Sequence, residues 1–394
     1  MLPSRLALRS SSNWAHVPIC GTIENMTTDA GTWIVERAKG IGFDLCGVVR
    51  PERFPEFDKF AEWLERGYAG EMRYLDDPRR VEPGLMSPSA RSIIVCGLNY
   101  NTAHPYSIEA AGSLHEESSP PRGWISRYAW GDDYHEVMWE KLNALVDSLK
   151  GKHPEPFTAR AYADTGPVSE RIFAKHAGLG WLGKNTLLLN EAYGSWLFLG
   201  VIVTSLDLAP SLEPAESPPP DLCGNCRQCL DACPTGALIE PYVLDARKCI
   251  SYLTIELRGS IPEERREGIG WQVYGCDICQ DVCPYNRKAP VTSLQQFLPR
   301  GEGEKGMLTP NLEWLAEMNE QEFRQVFRKS AVKRTKWAGL VRNTCIALGN
   351  VVPRMEPVNR RRTETVLKRL AESKISTVSE SARWALQRIQ RTSK

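Results

Sequence analysis

Eight of the twelve cysteines lie close together in the sequence, between residues 223 and 283. They form one run of the pattern Cys-x-x-Cys-x-x-Cys-x-x-x-Cys-Pro and a shorter run, Cys-x-x-Cys-x-x-x-Cys-Pro. Short loops of this kind let several thiolates converge on one cube of iron and sulfide, so the spacing predicts [4Fe–4S] clusters. The second run lacks one cysteine, and Cys249, which lies between the runs, is the predicted replacement.

The division of these cysteines between two clusters follows from the ferredoxin rule that the last cysteine of each run binds the other cluster. One cluster is predicted on Cys223, Cys226, Cys229 and Cys283, and the second on Cys233, Cys249, Cys276 and Cys279. Structural zinc is the alternative, since four-cysteine zinc sites also use Cys-x-x-Cys. Two Cys-x-x-x-Cys-Pro endings among eight cysteines favour the clusters.

Composition places few further limits on function. The chain has 394 residues, of which 42% are hydrophobic and 25% charged, and a formal net charge of +1, so bulk charge neither favours nor excludes nucleic acid. No apolar run reaches the roughly 20 residues of a membrane span. Clustered Cys-x-x-Cys motifs fit metal ligation in a reducing cytoplasm better than disulfides. The remaining cysteines are predicted to be small core residues: Cys20, Cys46, Cys96 and Cys345.

The helices and strands that would position the reacting side chains precede the cysteine runs in the sequence. Helical patterns alternate with apolar strands over residues 26–208, which predicts an α/β layer structure. Within it, Asp164 directly follows a predicted strand, and a glycine-rich turn ends beside Lys184. A second segment, 125–142, places several polar side chains before a helix: Arg127, Tyr128, Asp132, Tyr134 and His135. No dinucleotide-binding glycine fingerprint or phosphate-loop lysine motif is present.

Composition shifts divide the chain into five segments. Residues 1–25 are predicted to be a disordered extension, 26–208 the α/β domain, and 209–221 a proline-rich linker. The cysteine-rich domain spans 222–300, and 301–394 has the apolar periodicity of helical hairpins, which predicts a small HEAT-like stack. Residues 102–122 are rich in Pro, Ser and Glu and are predicted to be a mobile loop.

These features together resemble epoxyqueuosine reductase. The resemblance is carried by the cysteine spacing, the order of segments 125–142 and 163–190, CISYLTIELRG (249–259) and YGCDICQDVCPYNR (274–287), and it runs from about residue 32 to the C-terminus. It implies an α+β multidomain protein with a nitroreductase-like α/β cobalamin-binding domain, a two-cluster ferredoxin-like domain and C-terminal HEAT-like helical repeats. It also implies a cytoplasmic, monomeric enzyme that reduces the epoxide of epoxyqueuosine in tRNA, supplied by a low-potential electron donor.

The resemblance also implies roles for particular residues. Asp164, in Asp-Thr-Gly-Pro, would donate a proton near the cobalt, and burial against the cofactor would keep it neutral. The alternative for Asp164 is a helix N-cap before Pro167. Further cobalamin contacts are implied at Arg127, Tyr128, Lys184, Ser251 and Tyr252. A basic stripe in the tail is expected to bind tRNA phosphates, the alternative being a solvated helix face: Arg328, Lys333, Arg334 and Lys336.

Two other functions share some of these features. A corrinoid reductive dehalogenase-like enzyme would use the same clusters and cobalamin on a small organohalide. A plain electron-transfer protein would need the clusters alone, and it would leave the α/β domain and the basic tail without a role.

Overall fold

The computed structural model describes residues 26–114, 119–213 and 216–392. The predicted extension, 1–25, lies outside these residues. The α-helices are α1 (Met26–Ile41), α2 (Pro55–Glu65), α3 (Ser107–Leu114), α4 (Tyr134–Lys152), α5 (Glu170–His176), α6 (Gln228–Asp231), α7 (Ile250–Ile255), α8 (Glu263–Ile269), α9 (Ile278–Asp281), α10 (Leu312–Glu317), α11 (Glu320–Val326), α12 (Lys336–Val351), α13 (Pro357–Ala371) and α14 (Ser376–Thr392). The strands are β1 (Leu45–Val49), β2 (Ser92–Asn99), β3 (Trp124–Ile125), β4 (Ala159–Tyr162), β5 (Trp181–Leu182), β6 (Leu188–Leu189), β7 (Leu197–Thr204), β8 (Leu238–Glu240), β9 (Val243–Leu244) and β10 (Gln272–Tyr274).

A four-stranded sheet with the order β1-β2-β7-β4 forms the centre of the first domain, and each neighbouring pair is antiparallel. Successive residues of β2 point to opposite faces, as in any strand. Ile94 and Cys96 pack under α1 and α4, whereas Ile93 and Val95 pack under α2 and α5. Both faces are therefore covered, which explains why β2 is apolar along nearly its whole length and buried throughout.

The C-terminal helices pack on the cysteine-rich domain and on a small parallel pair, β3 with β10. Helix α12 is the centre of this region, and its residues from Leu340 to Gly349 are all buried. Arg342, only 1% exposed, donates hydrogen bonds of 2.7 and 2.9 Å to the carbonyls of Leu253 and Leu257. The helical tail and the cysteine-rich domain are thereby joined by buried polar contacts as well as by apolar packing. Within the described ranges, no helix is both long and apolar enough to cross a bilayer.

The described parts of segment 102–122, which are 102–114 and 119–122, differ from the predicted mobile loop, because they include helix α3. The Asp281 carboxylate accepts a 2.9 Å hydrogen bond from the backbone N–H of Ser107 and a second from its hydroxyl, which fixes the start of the helix. Arg127 fixes the preceding turn by donating to the carbonyls of Thr102, His104 and Pro105. These partners lie far away in sequence, so local composition gave no sign of them.

Candidate active site

The eight clustered cysteines line two neighbouring cavities. Cys223, Cys226, Cys229 and Cys283 lie around a small cavity of about 50 Å³. Cys233, Cys249, Cys276 and Cys279 lie in the wall of a larger cavity of about 420 Å³. Among the described residues, no three His, Cys, Asp or Glu side chains converge as they would on a single metal ion. Each set contains the four cysteines predicted for one cluster. Each set lines a cavity and does not converge on a position for a single metal ion.

The backbone around the cysteines explains how these sets form. The longer run turns at its first pair, where the N–H of Cys226 donates a 2.9 Å hydrogen bond to the carbonyl of Cys223 and Gly224 takes a positive φ of 47°. The single-turn helices α6 and α9 then carry the next cysteine of each run inward. Cys249 is the residue before α7, which brings it to the same cavity as the second run although it is more than 25 residues away.

The larger cavity lies between the sheet domain and the second cysteine set. Its sheet-side wall is largely apolar and includes Leu197, Phe198 and Leu199 of β7. Polar groups on the same side come from two predicted segments, 125–142 and 163–190: Ser126, Tyr128, Tyr134, Asp164, Glu170, Arg171, Asn185 and Thr186. An apolar wall with a few convergent polar groups is typical of a cofactor or substrate site.

Asp164 occupies a strained turn at the end of β4. Its φ is +58°, a conformation that few residues other than Gly, Asn and Asp adopt readily. The Glu170 carboxylate accepts a 3.0 Å hydrogen bond from the Asp164 N–H, and Arg80 donates to the carbonyls of Gly166 and Val168 on the far side of the turn. The helix N-cap alternative does not hold, because Ser169, not Asp164, precedes α5.

A chain of polar contacts connects Asp164 to the tail domain. Tyr134 donates a 2.8 Å hydrogen bond to Asp164 Oδ2, and His135 Nε2 lies 3.7 Å from the same oxygen. On its other side, His135 Nδ1 is 2.6 Å from Asp133 Oδ1. The second oxygen of Asp133 accepts from Lys333 Nζ at 2.6 Å. The imidazole therefore lies between two carboxylates, and only one of them faces the cavity.

The pKa values follow from this arrangement. Desolvation raises the pKa of Asp164, but contacts from His135 and Tyr134 outweigh it, so the net pKa is lowered. Desolvation likewise opposes the charge on His135, yet its two carboxylate partners raise the His135 pKa to about 9. These contacts favour an ionised Asp164 beside a protonated His135, and the neutral Asp164 expected for the cofactor-bound site stays a prediction. Burial and the nearby Asp164 charge raise the pKa of Glu170 to about 7.

The predicted cobalamin contacts do not all reach the larger cavity. Tyr128, Asp164 and Ser251 are in its wall. Lys184 lies at the smaller cavity instead, where its ammonium donates to the carbonyls of Gly224 and Cys226. Arg127 and Tyr252 line neither of these two cavities.

Arg127 and Tyr252 are held in the interior by contacts of their own. The Arg127 side chain is 1% exposed and lies 4.7 Å from the ring centroid of Trp130. The Tyr252 hydroxyl accepts a 2.8 Å hydrogen bond from the Glu71 N–H. Both side chains therefore fix loops behind the site.

The predicted tRNA-binding stripe divides into two pairs. Lys333 and Arg334 form ion pairs, Lys333 with Asp133 and Arg334 bidentately with Glu256 at 2.8 and 3.0 Å. Arg328 and Lys336 are exposed, and within the described part of the chain their side chains form no ion pair. Two of the four charges are thus already neutralised by the neighbouring domains.

Three residues that the sequence did not single out belong to the site: Asp133, Glu170 and Asn185. Asp133 is the N-cap of α4, and an Asp before a helical pattern is a signal that sequence does contain. Glu170 and Asn185 had no comparable signal, because their importance comes from a cavity that only the folded chain creates.

This fold and site define an iron–sulfur oxidoreductase, because the cysteine module borders a cavity that Asp164 also lines. Residues 222–286 match the family described as a 4Fe-4S double cluster binding domain. Residues 80–165 match the family described as epoxyqueuosine reductase QueG, DUF1730. The chain belongs to the epoxyqueuosine reductase family, as its relatives show over most of its length.

Among these relatives, the epoxyqueuosine reductase of Gloeobacter violaceus is 42% identical over 323 residues, which is 80% of this chain and 95% of that protein. That of Escherichia coli is 38% identical over 312 residues, 79% of this chain and 78% of the relative. A crystal structure of epoxyqueuosine reductase with an epoxyqueuosine-modified tRNA-Tyr stem loop superposes with a TM-score of 0.80 at 31% identity, covering 92% of this chain and 91% of that one. The Bacillus subtilis enzyme, with its catalytic aspartate loop swung out of the active site, gives 0.79 at 30% identity, with the same coverage.

Proposed function

We propose that this protein reduces epoxyqueuosine to queuosine at the wobble position of tRNA. The observation that carries the proposal is the cavity of about 420 Å³ that Asp164 and the second cysteine set both line, in a chain of this family. In the reaction the epoxide takes up two electrons and two protons, releases its oxygen as water and leaves an alkene. The site must therefore deliver both electrons and protons to one place.

The residues present fit the cofactors that this reaction needs. Eight thiols in two sets provide the donors for two [4Fe–4S] clusters, and the second set borders the larger cavity. We propose that the sheet domain is nitroreductase-like and binds cobalamin in this cavity, against the apolar residues of β7 and beside Tyr128 and Ser251. When bound, cobalamin would supply a strongly nucleophilic reduced cobalt, with the clusters as its source of single electrons.

The proton path consists of this chain's own side chains. Asp164 directs one carboxylate oxygen to Tyr134 and His135, and its side chain is 69% exposed to the open cavity. We infer that His135 stores the proton and passes it to Asp164 as the epoxide oxygen develops negative charge. Asp133 holds the imidazole in position, and Lys333 in turn holds Asp133.

The activity should depend on pH through His135. With a pKa of about 9, His135 carries its proton below that pH and loses it above, so kcat/KM should fall as the pH rises through about 9. The variant His135→Gln should be slower and should lack this alkaline decline. The measurement is the pH profile of tRNA conversion with a chemical reductant.

The control for this prediction is His153→Gln, which changes a histidine at the other end of α4 and should keep the wild-type profile. An unchanged alkaline decline in His135→Gln would show that another group stores the proton.

The tail is the proposed tRNA-binding region, and we propose that α12, α13 and α14 form its HEAT-like unit. Phosphate contacts release counterions, so binding should weaken with salt, and each lost contact should reduce the slope by about one unit. Replacing both Arg328 and Lys336 with glutamine should therefore weaken tRNA binding and flatten the salt dependence by about two units. Filter binding or fluorescence anisotropy across a salt series measures this effect.

Two comparisons make this tRNA-binding test specific. Lys59→Gln, an exposed lysine on α2, should leave affinity and slope unchanged. Lys333→Gln should reduce turnover more than affinity, because Lys333 supports Asp133 rather than facing solvent alone. Unchanged tRNA binding in the variant that lacks both Arg328 and Lys336 would show that the basic stripe is only a solvated helix face.

The cofactor content separates this proposal from the two other functions. A plain electron-transfer protein would bind no corrinoid, and a dehalogenase-like enzyme would not retain tRNA. Cobalt, iron and sulfide quantitation after anaerobic reconstitution, together with analysis of co-purifying tRNA, distinguishes all three. We propose further that the protein acts as a cytoplasmic monomer supplied by a low-potential electron donor.

A further inference from the structure

Two buried N–H donors lie near the cysteine sets: the first has no hydrogen-bond acceptor among the described residues, and the second contacts the sulfur of Cys223. They are the side-chain amide of Asn185 and the indole of Trp181, which are 5% and 2% exposed. Buried donors are nearly always paired, because an unpaired N–H loses its hydrogen bonds to water without replacement. The Asn185 amide therefore points to an acceptor that is not part of the polypeptide, and the Trp181 indole already lies against a cysteine of the first set.

Both donors belong to the hairpin formed by β5 and β6, which the sheet domain extends towards the cysteine module. Trp181 packs in one cluster with Cys223 and Cys283, and its ring centroid lies 5.0 Å from that of Tyr285. Asn185, in the turn of the hairpin, lines both the smaller and the larger cavity. The two donors thus lie beside the first cysteine set, and one of them also borders the second.

The orientation of Asn185 is fixed by its other amide atom. The Asn185 Oδ1 accepts a hydrogen bond from the Leu187 N–H at 3.3 Å, which leaves the NH₂ group without a protein partner. The adjacent Lys184 donates to the carbonyls of Gly224 and Cys226, so the hairpin is attached to the very loop that holds two cysteines of the first set. Two hydrogen bonds therefore hold the hairpin and the cysteine loop together.

We propose that Asn185 and Trp181 donate hydrogen bonds to sulfur atoms of the cluster held by Cys223, Cys226, Cys229 and Cys283, and that they raise its reduction potential. The acceptors would be sulfide or thiolate, whose negative charge increases when the cluster gains an electron. An N–H donor stabilises that reduced form more than the oxidised form. The sheet domain thereby adjusts the potential of a cluster whose ligands all come from another domain. The inference rests on the two clusters of the proposed function.

The test is a redox titration of the reconstituted protein, followed by electron paramagnetic resonance. Trp181→Phe removes one N–H and keeps an aromatic ring, and Asn185→Leu removes the other with little change in size. Each variant should lower the reduction potential of the first cluster. The expected shift is about 59 mV for one electron, which is about a tenfold rise in the ratio of oxidised to reduced cluster at the wild-type midpoint. Asn185→Asp, which keeps the contact to Leu187 and adds negative charge, should shift the potential further in the same direction.

A matched control comes from the same hairpin. Leu182 follows Trp181 and packs on the opposite side, against the apolar cluster of the sheet, so Leu182→Val should leave the potential unchanged. Unchanged potentials in Trp181→Phe and both Asn185 variants, with full iron content, would overturn this inference and leave the proposed function intact. Wild-type protein that assembles fewer than two clusters would instead refute the proposed function itself.

Discussion

Replacing Asp164 with asparagine is expected to leave cobalamin bound and to lower turnover by about 10²- to 10⁴-fold, the usual contribution of a positioned acid. Asparagine keeps the shape of the side chain and tolerates the positive φ of 58° at this position, so the turn should keep its conformation. The amide can still accept from Tyr134, but it cannot receive the proton from His135 and pass it on. Conversion of epoxyqueuosine-containing tRNA with a chemical reductant measures the loss.

The control for Asp164→Asn is Asp147→Asn. Asp147 lies on α4 of the same domain and, among the described residues, forms only an exposed ion pair with Lys150, so this variant should retain wild-type turnover. Cobalamin affinity, measured from the visible spectrum, should be similar in both variants. Near wild-type turnover by Asp164→Asn would show that Asp164 is not the proton donor.

Replacing Cys249 with serine is expected to abolish one cluster and leave the other. Two clusters of four irons contain eight irons, and this variant should retain about four, because the predicted second set would keep only three thiolates. Turnover should also be lost, since the second set is the one that borders the Asp164 cavity. Iron and sulfide analysis after anaerobic reconstitution measures the first effect, and the tRNA assay measures the second.

Cys46→Ser is the matched control for Cys249→Ser. It makes the same chemical change at a buried cysteine of β1, outside the cysteine module, and should leave all eight irons in place. If Cys249→Ser also kept eight irons, the division of the cysteines into crossed sets would be wrong. Loss of all iron would instead show that the two clusters assemble only together.

The sequence predicted the local parts of this molecule well. The strands β1, β2, β4 and β7 and the long helix α4 lie in segment 26–208, where alternating helices and strands were predicted, and α10 to α14 form the predicted helical tail. Periodicity succeeds here because each element has one or two faces buried against the rest of its domain. Cys46, Cys96 and Cys345 are buried as predicted, whereas Cys20 lies outside the described residues.

The long-range contacts were beyond what the sequence could indicate. Lys333 reaches Asp133 across 200 residues, and neither residue's neighbours show that the pair exists. The resemblance implied a cofactor contact at Arg127, but its guanidinium donates to carbonyls of a turn and the side chain is 1% exposed. Charged side chains near a predicted site can equally well bind the cofactor or brace the loop behind it, and only the fold distinguishes these roles.

The most direct test of the central claim is the conversion of epoxyqueuosine-containing tRNA by the reconstituted protein, followed by nucleoside analysis with mass spectrometry. With clusters, cobalamin and a low-potential reductant present, the account predicts that epoxyqueuosine disappears and queuosine forms in equal amount. Omission of cobalamin should prevent the conversion while the clusters remain reducible. Protein with full iron and cobalamin content that leaves epoxyqueuosine unchanged would contradict the proposed function.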